Sequence, residues 1–313
     1  MKKTLHNIEV CKLLNGHELS LTLHEFTNNK PGPTLGLSGT IHGDENLSIE
    51  ILRQFSLELE NLNFKGRVLM LPVANPNALG FATHTDPIDM IDLNRSFPGS
   101  REGTPTEKIA HAIATEYIPQ VDYFIDLHQG GAVNNHTVEY TIIYPNSEEL
   151  GKMLGQKYLY RGTIHPKSMV GYLTQTQKNK PLAIGEFGGS GQNNKYYIQQ
   201  GLTGIKNVMK YLKMIDGKPN IPEKQYCLKE YIEISSKNGG ILNPNLYIES
   251  IHSVVGKSEL LGTIYNPYTF EEIEHFYGPF NRNAIILIKA GACRVEAGEA
   301  LLGIGNMDTA EQI

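Results

Sequence analysis

No apolar run in this chain approaches the roughly 18 residues that a membrane-crossing helix needs, so no transmembrane helix is expected. Long lysine or arginine runs are also missing, and the formal net charge is -5. That balance argues against nucleic acid or an anionic membrane as the main partner. Cysteine is scarce: Cys11, Cys227 and Cys293 are far apart and odd in number. A disulfide framework is therefore not expected, and a reduced, cytoplasmic setting is the simplest reading. The N-terminus carries Lys2 and Lys3, but His6, Asn7, Glu9 and Lys12 interrupt any apolar segment, so it does not read as a secretory signal. What is present is a chain of 313 residues, 40% hydrophobic and 19% charged, enough for a large core and roughly two domains. Its 31 glycines suit an α/β protein with many tight strand-to-helix turns.

Hydrophobic spacing divides the chain. Leu19, Leu21, Leu23 and Phe26 roughly alternate with polar positions, which predicts strands over the first 27 residues. An Asn/Pro/Gly turn at 28–33 precedes an apolar run, 34–41, that ends in His42-Gly43. Leu47, Ile51, Leu52, Phe55 and Leu59 then recur at helical spacing, and 67–72 reads as another strand. Strand, helix and strand in this order imply a right-handed crossover and a parallel pair. Residues 75–104 are polar and rich in Asn, Pro, Asp and Gly, a loop long enough to suggest function. A helix is expected from Thr104, strands at 122–127, 138–143 and 181–186, and helices near 147–158 and 194–213. The pattern predicts parallel strands with helices on both faces. A polar Pro/Gly stretch at 215–224 separates this part from short strands and turns, where Leu260-Leu261-Gly262 recurs as Leu301-Leu302-Gly303. The echo predicts a small β-sandwich or barrel built from two similar halves.

Chemistry-bearing residues fall at the predicted strand ends. His42 and Glu45, three apart in a turn, suit a shared zinc ion. The alternative is a turn-capping histidine and a glutamate favourably placed at a helix N-terminus. His128 also follows an apolar strand and precedes glycines, so it shares the same sheet edge if the strands are neighbours. Asp126, on the same side of the pleat, is placed to orient it; otherwise His128 is a satisfied loop histidine. Glu186 closes a further apolar strand, as a general base or as an ordinary strand-end glutamate. In the long loop, Asn94 and Arg95 offer an amide and a planar fork for a substrate carboxylate, or a loop salt bridge.

In order, His42-Gly-Asp-Glu45, Asp92-Leu-Asn-Arg-Ser-Phe-Pro-Gly99, Asp126-Leu-His128 and Glu186-x-Gly-Gly189 resemble the succinylglutamate desuccinylase/aspartoacylase family over nearly the whole chain. With Gly103-Thr-Pro-Thr-Glu107, the resemblance is greatest to its bacterial N-acetyl-diaminobutyrate deacetylase-like branch. It implies an α/β fold, a zinc-carboxypeptidase-like mostly parallel or mixed sheet flanked by helices, plus a small C-terminal all-β domain. The implied division is a catalytic domain over 1–222 and a β domain over 223–313. It also implies one Zn2+ on His42, Glu45 and His128, Glu186 as base, and Asn94 and Arg95 on substrate. The implied activity is zinc-dependent hydrolysis of a small N-acyl, chiefly N-acetyl, amino acid by metal-activated water, with a homo-oligomer possible. A peptide-cleaving zinc carboxypeptidase and an inactive binding relative are the competing readings. The family's extra carbonyl-polarising arginine is replaced here by Pro87 or His84, so either His84 or zinc alone takes that role. The C-terminal halves resemble a lipoyl/biotinyl-like sandwich, without a lysine in the carrier hairpin. With few arginines in the loop, the expected substrate has one α-carboxylate, a short acyl group and a neutral or basic side chain.

Overall fold

The computed structural model describes residues 1–131, 135–163, 165–177, 180–189, 191 and 194–313. Strands β1 (Lys2–Lys12) and β2 (Glu18–Thr27) pair antiparallel. Next come β3 (Thr34–Gly39), helix α1 (Leu47–Leu59) and β4 (Arg67–Leu71), with β3 and β4 parallel as the crossover requires. The helix buries Leu47, Ile51, Leu52, Phe55 and Leu59, the residues whose spacing predicted it. Helix α2 (Pro76–Phe81) and a 3-10 turn (Leu93–Arg95) interrupt the long loop. Asn75 starts α2 by accepting the Ala78 N–H, with proline in the first turn. Helix α3 (Pro105–Ala112) opens on a capping box between Thr104 and Glu107.

The remaining elements of this half are β5 (Tyr123–Gly130), β6 (His136–Ile143), α4 (Glu148–Met153), β7 (Tyr158–Arg161), α5 (Met169–Thr176), β8 (Leu182–Gly189) and α6 (Asn194–Tyr211). The helix expected over 147–158 thus stops at Met153, and β7 and α5 follow it where no element was predicted before the strand at 181–186. Nor are all strands parallel. The sheet is mixed: β4, β3, β5 and β8 run parallel, while β2 and β6 flank them antiparallel. The link 131–135 is too short for a crossover, so β6 must reverse. Alternate residues of the central strands enter two cores. Phe124, Leu182 and Ile184 pack with α3 on one face, and Leu35, Leu37, Ile125 and Leu127 with α1 and α6 on the other.

From residue 223 onward no α-helix occurs. The strands are β9 (Tyr226–Leu228), β10 (Tyr231–Ser235), β11 (Gly240–Pro244), β12 (Val254–Gly256), β13 (Leu260–Tyr265), β14 (Glu272–Tyr277), β15 (Arg282–Lys289), β16 (Cys293–Val295), β17 (Ala300–Asn306) and β18 (Glu311–Gln312). Four of them, β14-β13-β11-β16, form a second sheet. The others extend the large one, whose main path is β1-β2-β4-β3-β5-β8-β6-β15-β17-β10. A shared core of Leu242, Leu261, Ile264, Phe276, Ile285 and Leu301 lies between the two layers. The repeated Leu-Leu-Gly triplets sit in β13 and β17, one in each layer.

Candidate active site

Because β3, β5 and β8 are adjacent and parallel, their carboxyl ends bring distant residues together. His42 and Glu45 lie in the turn between β3 and α1, and His128 lies on β5 in register with Glu186 on β8. The turn can pass here because residue 43 is glycine: a Cβ would stand 2.0 Å from the Ala78 carbonyl carbon of α2. Gln129 fixes the start of α1 by accepting the Leu47 N–H through Oε1 at 2.8 Å.

Glu45 bridges the two imidazoles. Its Oε1 lies 2.7 Å from His42 Nδ1 and its Oε2 lies 2.9 Å from His128 Nδ1. The far nitrogen of each ring meets an aspartate. His128 Nε2 is 3.0 Å from Asp126 Oδ2, and His42 Nε2 is 3.5 Å from Asp92 Oδ1, too long and poorly aimed to satisfy that buried nitrogen. Ser38 in turn donates to Asp126 Oδ1 at 2.6 Å. Burial alone would lower both histidines, but Glu45 and Asp92 raise His42 to about 9, and Asp126 and Glu45 raise His128 well above its usual value. Burial would likewise raise Glu45, yet the two imidazoles pull it far below the carboxylate range. An N–H at each Nδ1, donated to Glu45, would hold the three groups together. His42, Glu45 and His128 offer donor atoms within 4.8 Å of one another, each residue less than a tenth exposed. Two imidazoles and one carboxylate, with carboxylates behind the rings, fit a zinc ion, which would displace those protons.

The site opens into a cleft of about 390 Å³ that Glu186, Asn94, Arg95 and His84 also line. Burial pushes the Glu186 carboxyl up to about 7; Glu45 and Asp126 add to this, and His128 and His42 oppose it. Asn94 is buried, and its Oδ1 accepts the Met169 N–H at 3.0 Å, which leaves its NH2 for a ligand. Arg95 is half exposed and bonds only loosely, to the Asn94 carbonyl at 2.8 Å and toward Asp92 at 3.9 Å. His84 stacks on His42 with ring centroids 3.7 Å apart, its Nδ1 3.6 Å from the buried Asp44. His42, Glu45, His84, Asn94, Arg95, His128 and Glu186 therefore meet in one cleft, with Asp126 behind His128 and Pro87 outside the lining. Residues not assigned a role from the sequence also line it, among them Tyr140, Tyr144 and Glu233. Asp92 behind His42 could have been found, since it opens the loop motif. Glu233 carries no local mark, because only tertiary folding brings β10 here.

The sequence model of the succinylglutamate desuccinylase/aspartoacylase catalytic domain matches residues 31–212. N-alpha-acetyl-L-2,4-diaminobutyric acid deacetylase of Halomonas elongata is 27% identical over 246 residues, covering 76% of this chain and 68% of that protein. Among solved structures, a succinylglutamate desuccinylase/aspartoacylase from Rhodobacter sphaeroides is 22% identical, covers 99% of this chain and 95% of its own, and superposes with a TM-score of 0.83. The product-bound ectoine utilization protein EutE (DoeB) from Ruegeria pomeroyi is 21% identical, covers 97% and 95%, and also gives 0.83. These two share the fold across both the large sheet and the C-terminal strands. The matched segment contains His42, Glu45, Asn94, Arg95, His128 and Glu186, and on that match this chain belongs to the succinylglutamate desuccinylase/aspartoacylase family of deacylases.

Proposed function

We propose that the chain is a zinc-dependent amidohydrolase that removes a short acyl group, acetyl foremost, from a small N-acyl amino acid. His42, Glu45 and His128 would hold one zinc ion. Zinc at such a site supplies a Lewis acid and lowers the pKa of water. Glu186 takes a proton from the attacking water and passes it to the leaving amine, so the C–N bond breaks as a neutral amine forms. A carboxyl held near 7 serves both directions of that transfer. The Arg95 guanidinium receives the α-carboxylate through a bidentate bond, and the Asn94 NH2 donates beside it. His84, stacked over His42, is the candidate for the second donor to the scissile carbonyl.

The observation that carries this reading is the Glu45 carboxylate clamped between two imidazoles, beside a carboxyl that burial keeps near neutrality. That Glu233 and Leu287 of the C-terminal strands also line the cleft supports a small substrate over a peptide. We assign catalysis to residues 1–222, with the strands of 223–313 narrowing access, in a cytoplasmic enzyme. A screen of N-acyl amino acids on zinc-loaded protein, reading released amine, tests the proposal. Turnover of N-acetyl amino acids with a single α-carboxylate is expected. Cleavage of short peptides with no release from any N-acyl amino acid would overturn it.

A further inference from the structure

The cleft has two electrostatic poles. Arg95, from the long loop, supplies one. Glu233, from β10, lines the cleft as well, and among the described residues no lysine or arginine pairs with it. On a flat sheet β10 would lie three strands from β6, about 14 Å away. Yet the Tyr231 and Tyr140 ring centroids are only 6.0 Å apart. The C-terminal end of the sheet therefore curls over and brings β10 above the β6 and β8 residues.

Tyr231 fixes where the carboxylate stands. Its hydroxyl donates to Glu233 Oε1 at 2.9 Å, and the second carboxylate oxygen has no hydrogen-bond partner among the described residues. The Tyr231 ring can lie where it does because position 303 is glycine: a Cβ there would come 2.8 Å from the Tyr231 hydroxyl and 2.9 Å from the ring. So Gly303, from the second Leu-Leu-Gly triplet, seats Tyr231, and Tyr231 holds Glu233 with one oxygen facing solvent in the cleft. Tyr140, its ring centroid 6.0 Å from that of Tyr231, lines the cleft beside it. A free carboxylate oxygen beside aromatic rings is a receptor for an ammonium group, through a charge-assisted bond and cation–π attraction. An acidic substrate side chain meets only repulsion there.

We propose that Glu233 is the specificity-determining residue of the cleft and that it selects N-acyl amino acids whose side chain carries a positive charge, the α-carboxylate lying on Arg95 and the side-chain ammonium on Glu233. This rests on the deacylase reading above and narrows its substrate to a zwitterionic class.

The test uses a matched pair, Nα-acetyl-2,4-diaminobutyrate and Nα-acetylnorvaline, in which a methyl group replaces the ammonium. Zinc-loaded wild type is expected to favour the cationic substrate in kcat/KM by tenfold or more. Glu233→Gln should cut that ratio about tenfold, mainly through KM for the cation, because one charge-assisted bond is lost while the scissile amide is met unchanged. Glu233→Lys should invert the preference toward Nα-acetylglutamate. Melting curves and zinc content of both variants report folding. A wild-type protein that hydrolyses neither compound nor any other N-acyl amino acid overturns the deacylase reading and this inference with it. A wild-type protein that turns over both, with a ratio unchanged in both variants, overturns the Glu233 assignment alone.

Discussion

Strands β6 and β8 carry one carboxyl on each face of the sheet, Glu139 buried and Glu186 partly exposed, and desolvation drives both to about 7. Glu186 stands in register with Tyr140, and Glu139 with Phe187, so the pleat sends them to opposite sides. On the cleft side Glu186 feels two imidazoles and two further carboxylates, and it opens to solvent beside the donor set for a metal. On the far side Glu139 accepts the Tyr196 hydroxyl at 3.2 Å and faces His252 Nε2 at 3.3 Å. Burial, with help from Lys157, holds that histidine near 4, so a neutral carboxyl meets a neutral imidazole. The two carboxyls share the direction of shift, and differ in exposure and in what surrounds them. A raised carboxyl records lost hydration; only the neighbouring groups turn it into chemistry.

The comparison breaks most sharply at the metal. Protein stripped by a chelator should lose essentially all turnover and regain it with one equivalent of zinc, while Glu139→Gln leaves zinc content unchanged. Elemental analysis decides: less than about a tenth of an equivalent of any transition metal, with no activity gained on zinc addition, removes His42, Glu45 and His128 as ligands.

The next largest effect separates the two carboxyls directly. Glu186→Gln should keep its zinc and its fold while losing about 10²–10⁴-fold in kcat, the usual worth of a positioned acid–base group. Glu139→Gln should stay within about twofold of wild type, since Glu139 lies across the sheet from the cleft. Equal losses in the two variants would mean that Glu186 acts through folding and that another carboxylate carries the proton.

Arg95→Lys probes the opposite wall. An ammonium cannot reproduce a planar fork, so kcat/KM for an N-acetyl amino acid should fall about 10- to 100-fold, mostly through KM. A loss of the same size on the α-amide analogue of that substrate, which has no carboxylate to bind, would show that Arg95 does not read the α-carboxylate.

What was legible in the sequence follows the same division. His42, Glu45, His128 and Glu186 each adjoin an apolar strand, and parallel packing carries strand ends to one edge, so local pattern plus one topological rule located them. Asp126 was legible for the same reason, two residues from His128 on one side of a strand. Segments whose order is set by tertiary contact were not. Helix α5 depends on Ser168 capping the Gly171 N–H and on the Asn94 side chain meeting Met169 from 75 residues away. The antiparallel course of β6 follows from a short link that periodicity does not register. Glu233 is polar, exposed and unremarkable within β10; only the curl of the sheet, with Tyr231 seated against Gly303, gives it a place in the cleft.

The smallest expected effect is on stability, and it tests the far side of the comparison. Glu139 ordinarily titrates near 4.5 and is pushed up to about 7 in the fold. Below 4.5 both folded and unfolded chains are protonated there, and the group contributes nothing to the pH dependence. Between 4.5 and about 7 the unfolded chain releases the proton and the folded chain keeps it, so stability falls as pH rises through this window and levels off above it. At ~1.4 kcal/mol per pH unit, this gap caps the loss at ~3–4 kcal/mol. His252, lowered to about 4, acts with the opposite sign, costing stability as pH falls from its usual 6.5. It is present in wild type and Glu139→Gln alike, so the difference between the two isolates the carboxyl. Urea unfolding at pH 5, 6, 7 and 8 should show the variant gaining ~1–3 kcal/mol on wild type between the first and last of these. Parallel stability curves would mean that Glu139 keeps its ordinary carboxylate pKa in the fold.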